Sequence, residues 1–552
     1  MDRPAAYRFL AALTLPAIAW SLFELYEVVS SQNTPPSSLL LPSVYVFLTV
    51  RLLLYLRGKA SFHAKERSLG CGPVPSYPHR DPIFGLDLFL ATLHVMREDT
   101  VLDTLMSRFR RLGSTYSCIT LGQRLLLTDD PANVKAVLLG PSSDDWPIAG
   151  PRLFAALPVL GPRSIFATNG PAWKEARSAL RPSFARTQLA DPRRCFGRHV
   201  GRLLEHLDAG ESGHDVELQR LLLDMTMDSS TDFLFGRSTN MLTNPSPEAK
   251  RFLEDFEYAS RESTRRARLG GLLIRLPHKK LDEATQRLRD FVQSYLRKAL
   301  ADMEARKEKK EIEVKQGNGQ SEVDNINERD YLFLDELVKS GVSEDYMVDQ
   351  VLSTIVAGRD TTAMALTAVF WFLARSPDVV DKLRKEILAA GVEDPSWEQL
   401  KDMRYLNNVL KEALRLCPPV ATNSRVANRD LVLPHGGGPD GQLPVLVPKG
   451  TPVRWSLHSL QRRNDIYGPD ANEFRPERWD DDLRVGWEYI PFHGGPRICL
   501  GQQFALTQMA YTVYRVFRHF KSIKPRDNEP LKLSIGITIS FSRGCWVSFE
   551  LA

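Results

Sequence analysis

The stretch "PFHGGPRICLGQQFA", Pro491 to Ala505, sets one cysteine among glycines and directly ahead of a helix-like run. From Leu500 to His519 apolar residues recur at helical spacing, which places Cys499 at or just before a helix N-terminus. Unsatisfied backbone N–H groups and the positive end of the helix dipole favour a thiolate at such a position. Gly494, Gly495 and Gly501 allow φ > 0 and close backbone approach, so N–H groups can point at the sulfur. Arg497 adds positive charge nearby. The stretch reads as a site for a ligated anionic sulfur, with a packing cysteine as the alternative it leaves open.

The bulk numbers narrow the class. The chain has 552 residues, 43% hydrophobic and 25% charged, which is ordinary globular composition. A net charge of +5 is small for this length and argues against bulk nucleic-acid binding. The 6 cysteines are scattered without a CxxC pair, so a structural zinc site is not expected. Such spacing in a large chain fits reduced thiols in a cytosol-facing body.

The N-terminus departs from that pattern. Phe9–Phe23 and Leu39–Leu56 are apolar runs, the second the better match to the roughly 20 residues a spanning helix needs. Glu24 to Ser38 holds no Lys or Arg, whereas Arg57, Lys59, Lys65 and Arg67 follow the second run. That asymmetry predicts a retained membrane anchor of one or two transmembrane helices over residues 1–60, with the bulk of the chain in the cytosol. No clear small-residue cleavage site supports a signal peptide instead. Residues 61–85 form a linker whose core, "LGCGPVPSYPHRDPIFG" (Leu69 to Gly85), is rich in proline and glycine and reads as stiff. Residues 86–552 show no composition break that separates further domains.

Within that body, helical patterns dominate: Val216–Phe235, Ser343–Arg375, Tyr405–Leu416 and Leu500–His519. Short strand-like runs such as "SCITLGQRLLLTD" and "KLSIGITISFS" are a minority, which predicts a mainly α fold with small β-sheets. Glu304 to Asp330 is charged and nearly free of apolar residues, and reads as a helix end fraying into a surface loop. "GGGPDG", Gly436 to Gly441, formally matches a dinucleotide fingerprint, but the flanking Pro434, Pro444 and Pro448 leave no room for the helix that motif must open.

Phe492, Gly495, Arg497, Cys499 and Gly501 stand at FxxGxRxCxG spacing, which resembles the haem-binding loop of the cytochrome P-450 superfamily. The resemblance implies haem b with Cys499 as the axial iron ligand, a thiolate that favours O–O cleavage. It also implies the family's α-rich triangular-prism fold. Three further stretches carry it. "AGRDTT", Ala357 to Thr362, lies inside a long apolar helix that opens at an N-cap Ser343. Gly358 beside an Asp–Thr pair suggests a locally opened helix. By likeness to the family's oxygen-activating motif, Asp360 gates proton delivery and Thr361 hydrogen-bonds bound dioxygen. "KEALRLCPP" places Glu412 and Arg415 one turn apart, and "FRPERW" follows with Arg478. In the family these three form a buried structural triad. "ESTR", Glu262 to Arg265, has the same spacing and reads as a surface pair. "WKEAR" supplies Trp173 and Arg177, similar to the family's propionate-binding helix, and Arg425, Arg497 and His493 are the other expected propionate neighbours. His493 departs from the Asn expected there and Gln461 from an expected His.

The resemblance covers residue 70 to the C-terminus and points toward fungal, microsome-bound members that oxidise n-alkanes and fatty acids. "DVELQRLLLDMTMDSSTDFLFG", "LPHGGGPDG" and "RRNDIYGPDA" look like that group. It implies a monooxygenase at the endoplasmic reticulum membrane, facing the cytosol, that takes O2 and a lipophilic substrate. Electrons would come from NADPH through NADPH–cytochrome P-450 reductase, with cytochrome b5 as a second donor, since this chain has no flavin or nicotinamide site. A fungal secondary-metabolite oxygenase acting on polyketides or terpenoids is the alternative. A haem-thiolate isomerase or dehydratase would dispense with the Asp–Thr pair, and a non-enzymatic haem sensor would have no use for a proton relay.

Overall fold

A computed structural model describes residues 49–50, 57–140, 144–184, 191–208, 215–268, 276–315, 333–339 and 341–552. The apolar run Phe9–Phe23, all of Leu39–Leu56 but residues 49–50, and residues 316–330 of the charged stretch lie outside them. Among the described residues no single helix is long and apolar enough to cross a membrane.

In chain order the elements used below are helices α1 (Leu86–Arg97) and α2 (Val101–Leu112) and strands β1 (Thr115–Thr120) and β2 (Gln123–Thr128). Helices α3 (Pro151–Leu160) and α4 (Gly170–Leu180), strand β3 (Val216–Glu217) and helices α5 (Leu218–Phe235), α6 (Pro247–Arg268) and α7 (Lys279–Lys315) follow. Then come α8 (Glu344–Ala374), α9 (Arg404–Leu416) and strands β4 (Thr422–Val426), β5 (Leu431–Gly437), β6 (Leu443–Val447) and β7 (Pro452–Ser456). The chain closes with α10 (Gln502–His519) and strands β8 (Phe520–Pro525), β9 (Leu533–Ile535), β10 (Ile539–Phe541) and β11 (Trp546–Leu551). The fold is helix-rich with small sheets, as the periodicities predict.

Helix α8 is the spine. The Ser343 hydroxyl accepts from the Tyr346 N–H, and Glu344 and Asp345 occupy the first turn, where the dipole favours acid. Most of its side chains are buried, between a core that it forms with α5, α9 and α10 and a second core with α6 and α7. Gly358 does not open this helix, which stays α-helical from Glu344 to Ala374. The glycine has another cause: a Cβ there would lie 2.8 Å from the Ser230 Oγ of α5. A side chain at 358 would have to displace the Ser230 hydroxyl. The α5 pattern is also shorter than its apolar run. Val216 and Glu217 pair antiparallel with Val547 and Trp546, and the Glu217 carboxylate then caps α5 through the Gln219 and Arg220 N–H groups. The charged stretch beginning at Glu304 remains helical as far as Lys315.

One sheet has strand order β1-β2-β7-β4. The Leu69–Gly85 stretch is no free linker, because its backbone is tied to this sheet. The Tyr77 N–H donates to the Ser117 carbonyl and the Ser117 N–H to the Pro75 carbonyl, both at 2.8 Å. "GGGPDG" closes the β5–β6 hairpin, with Gly436 and Gly437 still in strand β5, and opens no helix.

A buried ionic knot fastens α9 to the segment before Cys499. Glu412, Arg415 and Arg478 are 0–2% exposed. Arg415 forks onto both Glu412 oxygens at 2.9 and 2.8 Å, and Arg478 Nε reaches Oε1 at 3.3 Å. Trp479 Nε1 and the Arg475 N–H complete the carboxylate's shell at 3.1 Å each. Arg415 also donates to the Gln461 and Ala471 carbonyls, and Gln461 Oε1 accepts from the Ile490 N–H at 3.1 Å. The same-spaced Glu262–Arg265 pair is a surface one, its arginine 56% exposed. Removing one partner of a buried pair strands the other charge and costs about 3–5 kcal/mol. Glu412→Ala therefore loses about that much stability in urea melts, whereas Glu262→Ala changes stability by at most about 1 kcal/mol.

Candidate active site

The cysteine loop is shaped by contacts on both sides of it. The Cys499 N–H donates to the Phe492 carbonyl at 3.0 Å and the Ile498 N–H to the Gly495 carbonyl at 3.1 Å, closing the loop on itself. Gly495 has φ 70°, and a Cβ on it would sit 2.4 Å from the Leu138 carbonyl oxygen. Of the three glycines read from sequence it alone needs φ > 0. Gly494 is extended and owes its size to the Trp487 ring, 2.6 Å from where a Cβ would lie, and Gly501 caps α10 at φ −86°.

Cys499 lines a large cavity, through which it is accessible, and is otherwise surrounded by protein. Burial raises its thiol pKa; the Gly501 N–H and the Arg177 charge pull it down without winning. The helix terminus therefore does not ionise the thiol unaided, because desolvation of a thiolate outweighs one N–H and one nearby cation. An anionic sulfur at this position calls for further compensation, of the kind a bound metal cation supplies.

Around this loop cations gather without acids, Arg425 buried and Arg152, Arg177 and Arg497 half-buried against the cavity. Trp173 of α4 is buried, with the Arg497 guanidinium 4.3 Å and the Arg177 guanidinium 5.8 Å from its ring centroid. Arg177 donates to the Ile498 carbonyl, and Arg497 to the Thr168 carbonyl and Asn169 Oδ1. Arg425 of β4 donates to Asn423 Oδ1 and the Ser424 carbonyl. Asn423 Nδ2 donates to His493 Nε2 at 2.6 Å. Arg152, at the start of α3, also donates to Asn423 Oδ1.

Sequence reasoning missed Arg152 and Asn423. They meet only through folding, 271 residues apart, and no local motif marks either one.

Burial and then mutual repulsion depress these groups. Arg152 and Arg497 are pushed down to about 10, Arg425 well below the usual guanidinium range, and His493 to about 3 and so neutral. None of the four arginines lies within ion-pair distance of a carboxylate among the described residues; Asp144 acts on Arg497 only at longer range. Buried like charges of this kind call for an anion. The two propionates of the haem expected from the sequence fit that deficit, and Cys499 faces the same cavity.

The opposite wall is α8. Ala357, Gly358, Thr361 and Thr362 line the cavity, and the Thr361 hydroxyl donates to the Ala357 carbonyl at 2.5 Å. Asp360 is turned away from it. Arg359 holds its carboxylate at 2.6 Å and reaches Glu257 of α6 at 3.2 Å. Burial raises the Asp360 pKa and Arg359 opposes the rise. Phe492 and Gly501 also line the cavity, which measures about 800 Å³ and carries no Asp, Glu or Lys in its walls. The structure thus gathers the cysteine loop, the arginine cluster and Thr361 around one space. It sets Asp360 beside that space, and Glu412, Arg415 and Arg478 in the knot behind it.

The sequence model of the family described as Cytochrome P450 matches residues 75–541. The chain is 37% identical over 517 residues to the cytochrome P450 monooxygenase himC of Aspergillus japonicus, covering 92% of this chain and 89% of that protein. It is 38% identical to the cytochrome P450 monooxygenase FPY7 of Fusarium mangiferae, over 87% and 90% of the two chains. With cytochrome P450 52A13 of Debaryomyces hansenii it shares 35% identity over 92% of this chain and 97% of that one.

Gly495→Ala tests how the loop is positioned. A non-glycine residue at φ > 0 costs about 1–2 kcal/mol before any clash, and here the Cβ also meets backbone. Purified Gly495→Ala protein is expected to retain well under half of the wild-type haem per chain, read from the haem-to-protein absorbance ratio.

Proposed function

The chain belongs to the cytochrome P450 family, and we propose that within it this protein hydroxylates the terminal carbon of an alkyl chain or fatty acid. It is a monooxygenase whose family uses haem with a cysteine thiolate on the iron, dioxygen, a lipophilic substrate and a redox-partner reductase. The observation that carries the substrate reading is the cavity. From Cys499 it continues past Thr361 to a largely hydrocarbon wall of α1 and α2, free of acids that would repel an acyl chain's head.

Cys499 is assigned as the thiolate ligand. Arg152, Arg177, Arg425 and Arg497, with Trp173 and His493, are assigned to the propionate side. Bound haem supplies reductive activation of dioxygen: R–H, O2, two electrons and two protons give R–OH and water. The protein's part is to exclude bulk water and meter the protons. Leu and Phe side chains along the walls do the first. For the second, Asp360 accepts a proton from the solvent side at its carboxylate, with Arg359 holding it there. Release from Arg359 lets Asp360 turn toward α8's cavity face. The Thr361 hydroxyl, freed from the Ala357 carbonyl, then donates into the cavity and is reprotonated from Asp360. The unpaired electrons' source is read as NADPH through a separate reductase. Residues 1–60 are read as the anchor that sets the catalytic body at the cytosolic face of the endoplasmic reticulum.

A tailoring oxygenase for polyketides or terpenoids is the second reading. It is favoured by the breadth of the lining, which runs from α1 to the β9–β10 turn at Ile537.

The reduced, carbon-monoxide-bound protein is expected to show the absorption band of a thiolate ligand, and Cys499→Ser to lose it. Spin-state shifts on titration separate the two substrate readings: fatty acids and alkanes shift the wild type if the first holds, and only polycyclic ligands do so if the second holds. Thr361→Ala is expected to keep haem and its spectrum yet divert NADPH oxidation into peroxide. Removing a positioned proton donor costs about 10²-fold or more in the productive branch, measured as product formed per NADPH consumed.

A further inference from the structure

Six arginines line the cavity, and they fall into two groups. Arg152, Arg177, Arg425 and Arg497 act on one another at the Cys499 end, where two propionates account for them. Arg108 and Arg454 stand apart from that group, and their charges act instead on Tyr116 and Cys118.

Strand register explains the separation. Tyr116 of β1 pairs with Leu127 of β2, Leu127 with Arg454 of β7, and Arg454 with Ser424 of β4. Residues in one such row across a sheet share a face. Asn423, Arg425 and Trp455 alternate onto the opposite face. The cavity wraps around β4, the edge strand, so one space reaches both faces. Arg108 joins the Arg454 group from α2, its guanidinium 5.4 Å from the Tyr77 ring centroid.

This second group has no acidic partner, and Arg454 is exposed to the cavity while Arg108 is half-buried. No carboxylate among the described residues lies within ion-pair distance of Arg108 or Arg454. Tyr116 is among the lining residues, is only 1% exposed, and its buried hydroxyl has no hydrogen-bond partner. Asp129, whose charge is felt at Tyr116, lies beside Arg463, 3.7 Å away. The surrounding wall is Leu88, Leu105, Leu125 and Leu127. Two cations without an acidic partner in a largely hydrocarbon wall favour an anion that enters the cavity. A guanidinium fork matches a planar carboxylate in two parallel hydrogen bonds.

We propose that Arg454 and Arg108, beside Tyr116, form a carboxylate-binding subsite that holds the head of a fatty acid while its chain runs toward Cys499. The proposal rests on the alkyl-chain reading above and narrows it, selecting free fatty acids over n-alkanes and neutral esters. It also fixes direction. An acid anchored at this end presents its methyl end, not its carboxyl end, to the reacting site.

The test is equilibrium dialysis of the holoprotein against a saturated fatty acid, its methyl ester and an n-alkyl phosphate of equal length. The wild type is expected to bind the acid about thirtyfold or more tightly than the ester, the usual scale for losing one partner of a buried charge pair. Arg454→Gln erases that preference with ester binding unchanged, and Arg454→Lys keeps part of it. The carbon-monoxide spectrum certifies each variant as intact holoprotein, and Arg108→Gln serves if Arg454 variants lose haem. Equal binding of acid and ester by the wild type, or an undiminished preference in Arg454→Gln, overturns the subsite and leaves alkyl-chain hydroxylation standing. Tighter binding of the phosphate than of the acid overturns the carboxylate assignment. Binding of none of the three, alongside spin shifts with polycyclic ligands, overturns the subsite and the alkyl-chain reading together.

Discussion

Uncompensated positive charge inside the protein is the constraint from which the site is built. Arg152, Arg425 and Arg497 repel one another, and the surrounding protein depresses all three. A fold keeps such a cluster only when an anion belongs there, because desolvated like charges cost several kcal/mol each. The anion's place then orders everything near it. Asn423 bridges Arg152, Arg425 and His493, and Trp173 gives Arg497 a ring to lie against. The neutral His493 fits this setting, since a charged imidazole would add to the repulsion.

Two rigid pieces hold that cluster against the opposite wall. One is the close contact of α8 with α5, where Gly358 faces the Ser230 hydroxyl. This contact brings Thr361 to the cavity while Asp360 stays under the control of Arg359 and Glu257. The other is the ionic knot of Glu412, Arg415 and Arg478, which ties α9 to the chain from Ala471 to Trp479. Gln461 extends the knot to Ile490, just before the cysteine loop. A buried carboxylate accepting five N–H bonds is directional, so the knot sets position as well as stability. The loop itself is then closed by Gly495 against the backbone at Leu138.

The two faces of the β1-β2-β7-β4 sheet divide the cavity's charges. One face serves the cysteine loop through Asn423, Arg425 and Trp455, and the other carries Tyr116 and Arg454. Period-2 alternation makes this division automatic, since neighbouring residues of one strand point in opposite directions. A single short sheet can therefore attend to a cofactor on one side and a substrate on the other.

Much of this was legible before folding was considered. The glycine-spaced Cys499, the Asp360–Thr361 pair, the Glu412–Arg415 spacing and the Trp173–Arg177 turn are local patterns, and a local pattern survives in one dimension. So do the helix-rich class and the cap at Ser343, because both rest on periodicity and on neighbours a few residues apart. Other features are pairings between distant segments. Arg152 meets Asn423 across 271 residues, Arg454 shares a row with Tyr116, Gly358 answers to Ser230, and the Leu69–Gly85 stretch is tied to β1. Sequence could not ionise Cys499 correctly either, because the shift depends on how much protein surrounds the sulfur. The sequence alone determined which residue types were available and their local order; tertiary structure decided which charges were left without partners. The reason is that desolvation and Coulomb energies depend on distances in space, which chain spacing does not report.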